Sequence, residues 1–140
     1  LTRQFRALKI WMCLKVHGKK AFQAQIWKNV QQAQYLAESI LQHPDRLELI
    51  MKPSLNIICF RYISENLSEE QLNELNRQIL IQLQFKGQVF LSHTCIAGRF
   101  LLRVAITNHR SQKPDFDLLL NNVLASGRET LVHYLANDQN

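Results

Sequence analysis

The sequence predicts an α+β domain of two layers, in which helices cover one face of about four mainly antiparallel strands. Three observations lead to this fold class. Several segments carry a single stripe of apolar residues at helical spacing, and several shorter segments are apolar over the length of a strand. Two of the strand segments are joined only by Ala97 and Gly98, a link short enough for a hairpin turn.

Two long helices are predicted at the start of the chain. The first, over residues 2–16, has apolar residues around much of its circumference, and such a helix requires packing partners on more than one side. Gly18 separates it from the second helix, which runs over residues 19–42 and is ended by Pro44. The apolar surface of the first helix therefore indicates that it packs against polypeptide that this chain does not itself supply.

The middle of the chain changes from helical spacing to strand spacing. Residues 47–51 and 55–63 are predicted strands, separated by a turn. A helix then begins at Ser68, because Gln71 lies three residues further on and completes a capping box. This helix is predicted to end at Gly87.

The last third of the chain contains the hairpin and a closing helix. Residues 89–96 and 99–107 are the predicted hairpin strands, and the helix spans residues 112–136. Gly127 lies on the apolar side of that helix, where the absence of a side chain permits close packing.

Length and composition are those of one soluble globular domain: 140 residues, 46% apolar and 20% charged. No apolar run approaches the ~18 residues of a membrane span, and no secretory signal is visible. Three cysteines in apolar settings indicate buried free thiols in a reducing, cytoplasmic compartment, and the histidines lack the spacing of a zinc site. Because the first residue is Leu1, we expect a fragment or a processed product.

The formal net charge of +6 is unevenly placed, since seven basic residues precede the first acidic one, Glu38. A basic opening is compatible with a non-catalytic module that binds an acidic protein or a nucleic acid. It lacks an aromatic RNA-binding signature and zinc-finger spacing, so a solvated or partner-facing side of a helix is the other interpretation.

Arg103 interrupts an apolar strand, and the alternation of strand side chains assigns it to a face. It falls on a second face with Arg99 and Thr107, and the other hairpin strand is expected to contribute His93 there. A guanidinium keeps its charge, so Arg103 either pairs with an acidic residue of the chain or receives an anion. The residues alone leave both alternatives open. The opposite face, which the helices are expected to cover, takes Phe100, Leu102, Val104 and Ile106.

In three segments, residues 2–18, 55–62 and 90–111, the chain resembles the pyridoxal-phosphate-dependent group II amino-acid decarboxylases, which include aromatic-amino-acid, glutamate, histidine and diaminobutyrate decarboxylases. Residues 2–18, "TRQFRALKIWMCLKVHG", are similar to the family helix "RRFRALKLW". Residues 55–62, "LNIICFRY", are similar to the family strand "LGLVCFR". Residues 90–111, "FLSHTCIAGRFLLRVAITNHRS", resemble "YLTHTKLNGRFVLRFAIGNPRT". The blocks have the family's order and spacing and together span nearly the whole chain.

The resemblance covers only the C-terminal part of these enzymes. It implies that residues 43–140 form the small C-terminal α+β domain of the fold-type-I architecture. Residues 1–42 would then be a helical segment that packs on a large domain and leads into the small one. The resemblance further implies that Arg103 binds the α-carboxylate of an amino-acid substrate, and it makes His93 a weaker candidate for substrate binding.

The same resemblance assigns the chemistry to segments upstream of this chain. The family's cofactor-bearing lysine and the main groups that hold the cofactor precede this region, so no catalytic, cofactor-binding or metal residue is assigned here. For the parent enzyme it implies pyridoxal 5'-phosphate, an amino-acid substrate, a large domain and a homodimer partner, with neither nucleic acid nor membrane. The chain alone is expected to be inactive. Asn56 and His109 stand where the family usually has Gly and Pro, which leaves the recognised amino acid open.

Overall fold

The computed structural model describes residues 5–87 and 89–137. The prediction of an α+β fold is confirmed. The predicted start of the first helix, at residue 2, lies outside the described residues. None of the described helices is long and apolar enough to cross a membrane. The elements in chain order are α1 (Ala7–Leu41), β1 (Leu47–Leu49), β2 (Ile57–Tyr62), α2 (Glu69–Lys86), β3 (Ser92–Ile96), β4 (Arg99–Ala105) and α3 (Lys113–Asn137).

The four strands form one sheet in the order β1-β2-β4-β3, and every neighbouring pair is antiparallel. The register pairs Leu47 with Tyr62 and Phe60 with Leu102, and these side chains are almost fully buried. They share the helix-covered face and belong to one core with the buried residues of all three helices. The predicted two-layer architecture is therefore confirmed.

The helix α1 consists of two halves that meet at Gly18, whose φ of 75° and ψ of 163° are not helical. Before this break the large apolar side chains are exposed, with Val16 at 74% and Trp11 at 57%. After it, the side chains from Ala33 to Ile40 on one stripe join the core of the domain. The second half of α1 is thus part of the same core as the sheet. The division of the chain at residues 42 and 43 stays a prediction.

Two asparagines fix α2 to the sheet. The Asn76 side chain accepts a hydrogen bond from the Tyr62 backbone N–H at 2.7 Å and donates to its carbonyl at 2.8 Å. One turn earlier, Asn73 donates to the Gly98 carbonyl at 2.8 Å and accepts from the Phe100 N–H at 2.6 Å. These bonds satisfy backbone groups at the end of β2 and at the start of β4. They therefore hold the strand that carries Arg103.

The ends of α2 follow the sequence prediction. Ser68 and Gln71 form the predicted capping box, and each side chain bonds to the other's backbone N–H. Gly87 closes the helix in the left-handed conformation, with a φ of 66°. The capping box and the terminal glycine each act within one helical turn. The sequence alone is therefore sufficient to predict both ends of α2.

The hairpin of β3 and β4 turns through Ala97 and Gly98, whose φ values of 51° and 78° are both positive. Two positive values characterise the two-residue turn whose twist suits paired strands. The strands are shorter than predicted, because β3 begins at Ser92 and β4 ends at Ala105.

Gly127 brings α3 close to the sheet. A Cβ at this position would overlap the ring of Tyr62, which is fully buried under the helix. The close packing predicted for this glycine is confirmed.

Candidate functional site

Arg103 lies on the second face of the sheet, opposite the helix-covered face, as its alternation predicts. The register places it directly between Cys59 of β2 and Ser92 of β3. Residues that face each other across strands project to the same side, so these two short side chains flank Arg103. The neighbouring pair of Phe60 and Leu102 belongs to the core instead.

The Arg103 side chain lines a cleft of about 690 Å³. The cleft lies between the hairpin, the segment after β4 and the first turns of α3, and Phe90, Phe116 and Leu118 give it apolar walls. Its described lining also includes the acidic residue Asp115, whose Oδ2 accepts a hydrogen bond from the Gln112 backbone N–H at 2.8 Å. A half-exposed guanidinium at the edge of a partly apolar cleft suits a ligand that has both an anionic and an apolar part.

No carboxylate of a described residue lies within 4.0 Å of the Arg103 guanidinium. Its one hydrogen bond to a side chain in this part of the structure joins Nη1 to the Ser92 Oγ at 3.4 Å. Of the two alternatives that the sequence left open, the ion pair within the chain is therefore not formed by the described residues. The charge of Arg103 remains accessible to an anion in the cleft.

Arg61, on the same face, has the opposite environment. Its side chain is only 5% exposed, and Nε donates to Glu48 at 2.6 Å. The two terminal nitrogens donate to Glu69 at 2.8 and 3.0 Å, and hydrogen bonding to Glu69 raises the pKa of Arg61 above its ordinary value. Arg99 joins this network through Glu48 at 3.1 Å. We call these four residues the Arg61 network.

The Arg61 network was not predicted from the sequence, because its members come from four separate elements, β1, β2, α2 and β4. One signal was present in the sequence. Arg61 lies in the apolar strand run "IICFRY" just as Arg103 lies in its own strand, and a buried arginine requires acidic partners. A search for acidic residues near the strand ends would have pointed to Glu48 and Glu69.

The three cysteines are free, as expected, but the prediction that all are buried is wrong. Cys13 is exposed because it lies on the uncovered half of α1, and Cys95 is exposed on the edge strand β3. Cys59 is partly buried, and burial raises the pKa of its thiol while the charge of Arg103 opposes the shift. Its thiol is thus kept neutral beside the guanidinium.

His93 does not share the face of Arg103, so the expected position of its side chain is wrong. The register pairs it with Leu102 on the helix-covered side, and its ring stacks on Phe100 with centroids 4.9 Å apart. The Arg77 guanidinium of α2 also lies over the Phe100 ring, 4.9 Å from its centroid. The hairpin register explains the difference, since the two-residue turn sets Ser92, and not His93, opposite Arg103.

The described residues do not fit a complete site for the cofactor that the resemblance implies. Pyridoxal phosphate binds its enzymes through a Schiff base to a lysine. The described residues that line the Arg103 cleft include no lysine. Nor do the described His, Cys, Asp and Glu residues form a group able to hold a metal ion. A guanidinium that has no carboxylate partner among the described residues is chemically suited to bind an anion.

Comparison with known proteins gives a consistent set of relatives. A family model, the pyridoxal-dependent decarboxylase conserved domain, matches residues 1–63. Tyrosine decarboxylase 2 of Arabidopsis thaliana is 34% identical over 106 residues, which cover 76% of this chain and 19% of the relative. Aromatic-L-amino-acid decarboxylase of Bacillus atrophaeus is 30% identical over 135 residues, which cover 96% of this chain and 28% of the relative. The chain therefore spans less than a third of the length of either relative.

Solved structures share the fold. Oryza sativa TDC, crystallised with PLP and tryptamine, superimposes with a TM-score of 0.81 and 26% identity, covering 91% of this chain and 27% of that one. Mouse CSAD in its apo form gives the same TM-score at 22% identity and supports the fold alone. The architecture described above is thus that of a region making up about a quarter of these larger chains.

Proposed function

This chain belongs to the pyridoxal-dependent decarboxylase family, and we propose that it is the carboxylate-binding part of a longer amino-acid decarboxylase. In this proposal Arg103 holds the α-carboxylate of the substrate in the cleft. Pyridoxal phosphate and the lysine that carries it belong to the rest of the enzyme. The described chain contributes binding and orientation, and it is inactive alone.

The observation that carries the proposal is the free charge of Arg103. A guanidinium that already had a carboxylate partner would have little affinity for another, whereas Arg103 has none within 4.0 Å among the described residues. It is also placed in the cleft, beside apolar walls. Two parallel N–H donors match the two oxygens of a carboxylate, so the side chain is suited to a bidentate pair.

Such a pair would fix the direction of the bond that decarboxylation breaks. When bound, pyridoxal phosphate supplies the electron sink for that reaction. Arg103 would hold both carboxylate oxygens and thereby limit rotation about the bond between the carboxylate and Cα. Orientation of this kind lowers the entropic part of the barrier.

The proposal gives the first half of α1 a packing role. Its apolar side chains, among them Ile10 at 64% and Val16 at 74% exposed, are too many for a helix that stays in water. The described elements leave this half uncovered, and we infer that the large domain of the parent enzyme and a second subunit cover it. A homodimeric, cytoplasmic enzyme is part of this proposal.

His93 has no role in the proposed site. Its ring is stacked on Phe100 on the helix-covered side of the sheet, so it would have to leave the stack to reach a ligand beside Arg103. We regard it as a packing residue of the hairpin.

The proposal is tested by replacing Arg103 with glutamine in the intact decarboxylase that contains this chain. The loss of a charged partner for a desolvated carboxylate costs about 2–5 kcal/mol, so kcat/KM should fall by roughly 30-fold to several thousand-fold. Steady-state kinetics with the L-amino-acid substrate measure the change. Arg103→Lys keeps the charge but not the paired donors and should recover only part of the loss.

A matched control is Arg128→Gln, which removes the same charge from an exposed position of α3 away from the cleft. Its kcat/KM should equal that of the unmodified enzyme. If Arg103→Gln behaves like this control, Arg103 does not bind the substrate and the proposal is wrong.

A further inference from the structure

The Ser92 hydroxyl contacts Arg103 twice. Its Oγ donates a hydrogen bond to the Arg103 carbonyl at 3.1 Å, and the same oxygen lies 3.4 Å from the Arg103 Nη1. Both residues line the cleft, and they are direct partners in the register of β3 and β4. One oxygen atom thus joins the main chain and the side chain of the same arginine.

The hydrogen-bond capacity of a hydroxyl makes this arrangement directional. Serine has one proton and two lone pairs. Because the proton is directed to the Arg103 carbonyl, a lone pair of the Ser92 Oγ remains to accept from Nη1. The cross-strand neighbour on the other side, Cys59, forms no hydrogen bond with Arg103 in the described structure. Of the two flanking residues, Ser92 is therefore the one that orients the guanidinium.

We infer that Ser92 is a positioning residue that holds the Arg103 guanidinium in the orientation in which it receives a carboxylate from the cleft. The inference rests on the proposed role of Arg103. An arginine side chain has several rotatable bonds, and fixing them before the ligand arrives removes part of the cost of binding. The Ser92 contact occupies one proton of Nη1 and leaves Nη2 and Nε free for a bidentate pair.

The effect should depend on the carboxylate of the ligand. We would titrate the intact holoenzyme with 3-phenylpropanoate, which has the carboxylate, and with 2-phenylethylamine, which lacks it. For Ser92→Ala, the dissociation constant for 3-phenylpropanoate should rise about three- to tenfold, the usual value of one such hydrogen bond. Binding of 2-phenylethylamine should be unchanged. A purely structural role of Ser92 would alter both probes together.

Two further variants of β3 complete the test. Ser92→Thr retains the hydroxyl and should restore the affinity for 3-phenylpropanoate. Thr94→Ala removes a hydroxyl from the same strand and the same face, opposite Leu101, and should leave both dissociation constants unchanged. The inference is overturned if Ser92→Ala binds 3-phenylpropanoate as the unmodified enzyme does, or if threonine does not restore binding.

Arg103→Gln, titrated in parallel, separates this inference from the proposed function. If Arg103→Gln loses affinity for 3-phenylpropanoate while Ser92→Ala does not, only the role of Ser92 is wrong. If the unmodified enzyme binds this probe no more tightly than Arg103→Gln does, the carboxylate-binding role of Arg103 is wrong, and the inference about Ser92 is wrong with it.

Discussion

Two arginines project from the same face of the same sheet and have opposite surroundings. Arg61 is 5% exposed, and two carboxylates lie within 3.0 Å of its nitrogens. Arg103 lies two strand positions away on the neighbouring strand, lines a cleft and has no described carboxylate within 4.0 Å. Each lies in an apolar strand, so the strand itself does not account for the difference in surroundings. The two arginines differ in the charge of their cross-strand neighbours.

The difference originates in the residues that flank each arginine. Arg61 faces Glu48 on β1, and the first turn of α2 adds Glu69. Arg103 faces Cys59 and Ser92, which carry no charge at neutral pH in this environment. A buried guanidinium requires compensation from the protein, whereas a half-exposed one can remain open for a ligand.

The largest difference should appear in stability. Replacing Arg61 by methionine leaves Glu48 and Glu69 without their partner and should lower the free energy of unfolding by about 2–3 kcal/mol. This is below the usual cost of breaking a fully buried pair, because both carboxylates are partly exposed. Urea denaturation measures the loss.

Arg103→Met is the matched control for this measurement. It should change the free energy of unfolding by less than about 0.5 kcal/mol, because Arg103 stabilises the fold through no described ion pair. Equal losses of unfolding free energy in the two variants would show that both arginines stabilise the fold. The proposed difference between Arg61 and Arg103 would then be wrong.

An acidic residue at position 92 would give Arg103 a cross-strand partner of the kind that Arg61 has in Glu48. Ser92→Asp places a carboxylate opposite Arg103, and cross-strand pairs of opposite charge stabilise a sheet by about 0.2–1 kcal/mol. The new carboxylate would occupy the guanidinium and compete with the substrate. The kcat/KM of the intact enzyme should therefore fall about tenfold or more, while the free energy of unfolding stays the same or rises slightly.

Thr94→Asp adds the same charge to the same strand and face, but opposite Leu101 instead of Arg103. Comparing kcat/KM for the two variants separates direct competition from a general effect of negative charge. If both aspartates reduce kcat/KM equally, the added charge acts at a distance, and the pairing of residue 92 with Arg103 is not its cause.

The sequence was sufficient for features that form within a few residues of chain. The capping box at Ser68, the break at Gly18 and the turn at Ala97 and Gly98 depend on local hydrogen bonds and backbone conformation. The position of Arg103 on the second face follows from alternation, which is equally local. These predictions agree with the structure.

Features that join separate elements were harder to predict from the sequence. The Arg61 network joins residues 8, 13 and 51 positions apart, which come from four elements, and the loop between β1 and β2 does not fix their register in advance. The face of the sheet on which His93 lies could, however, have been predicted from the sequence. Counting back from the two-residue turn pairs residue 96 with 99 and therefore 92 with 103, which already excludes His93 from the face of Arg103.

The smallest predicted effect concerns the turn that precedes β4. Ala97 has a φ of 51°, in the left-handed region that costs most residues about 1–2 kcal/mol and that asparagine tolerates better. Ala97→Asn should raise the free energy of unfolding by about 0.5–1 kcal/mol in urea denaturation. Because the turn lies at the Arg99 end of β4, away from Arg103, kcat/KM should not change. A loss of activity would mean that the turn and the Arg103 cleft are coupled, and that the open environment of Arg103 depends on more than its two cross-strand neighbours.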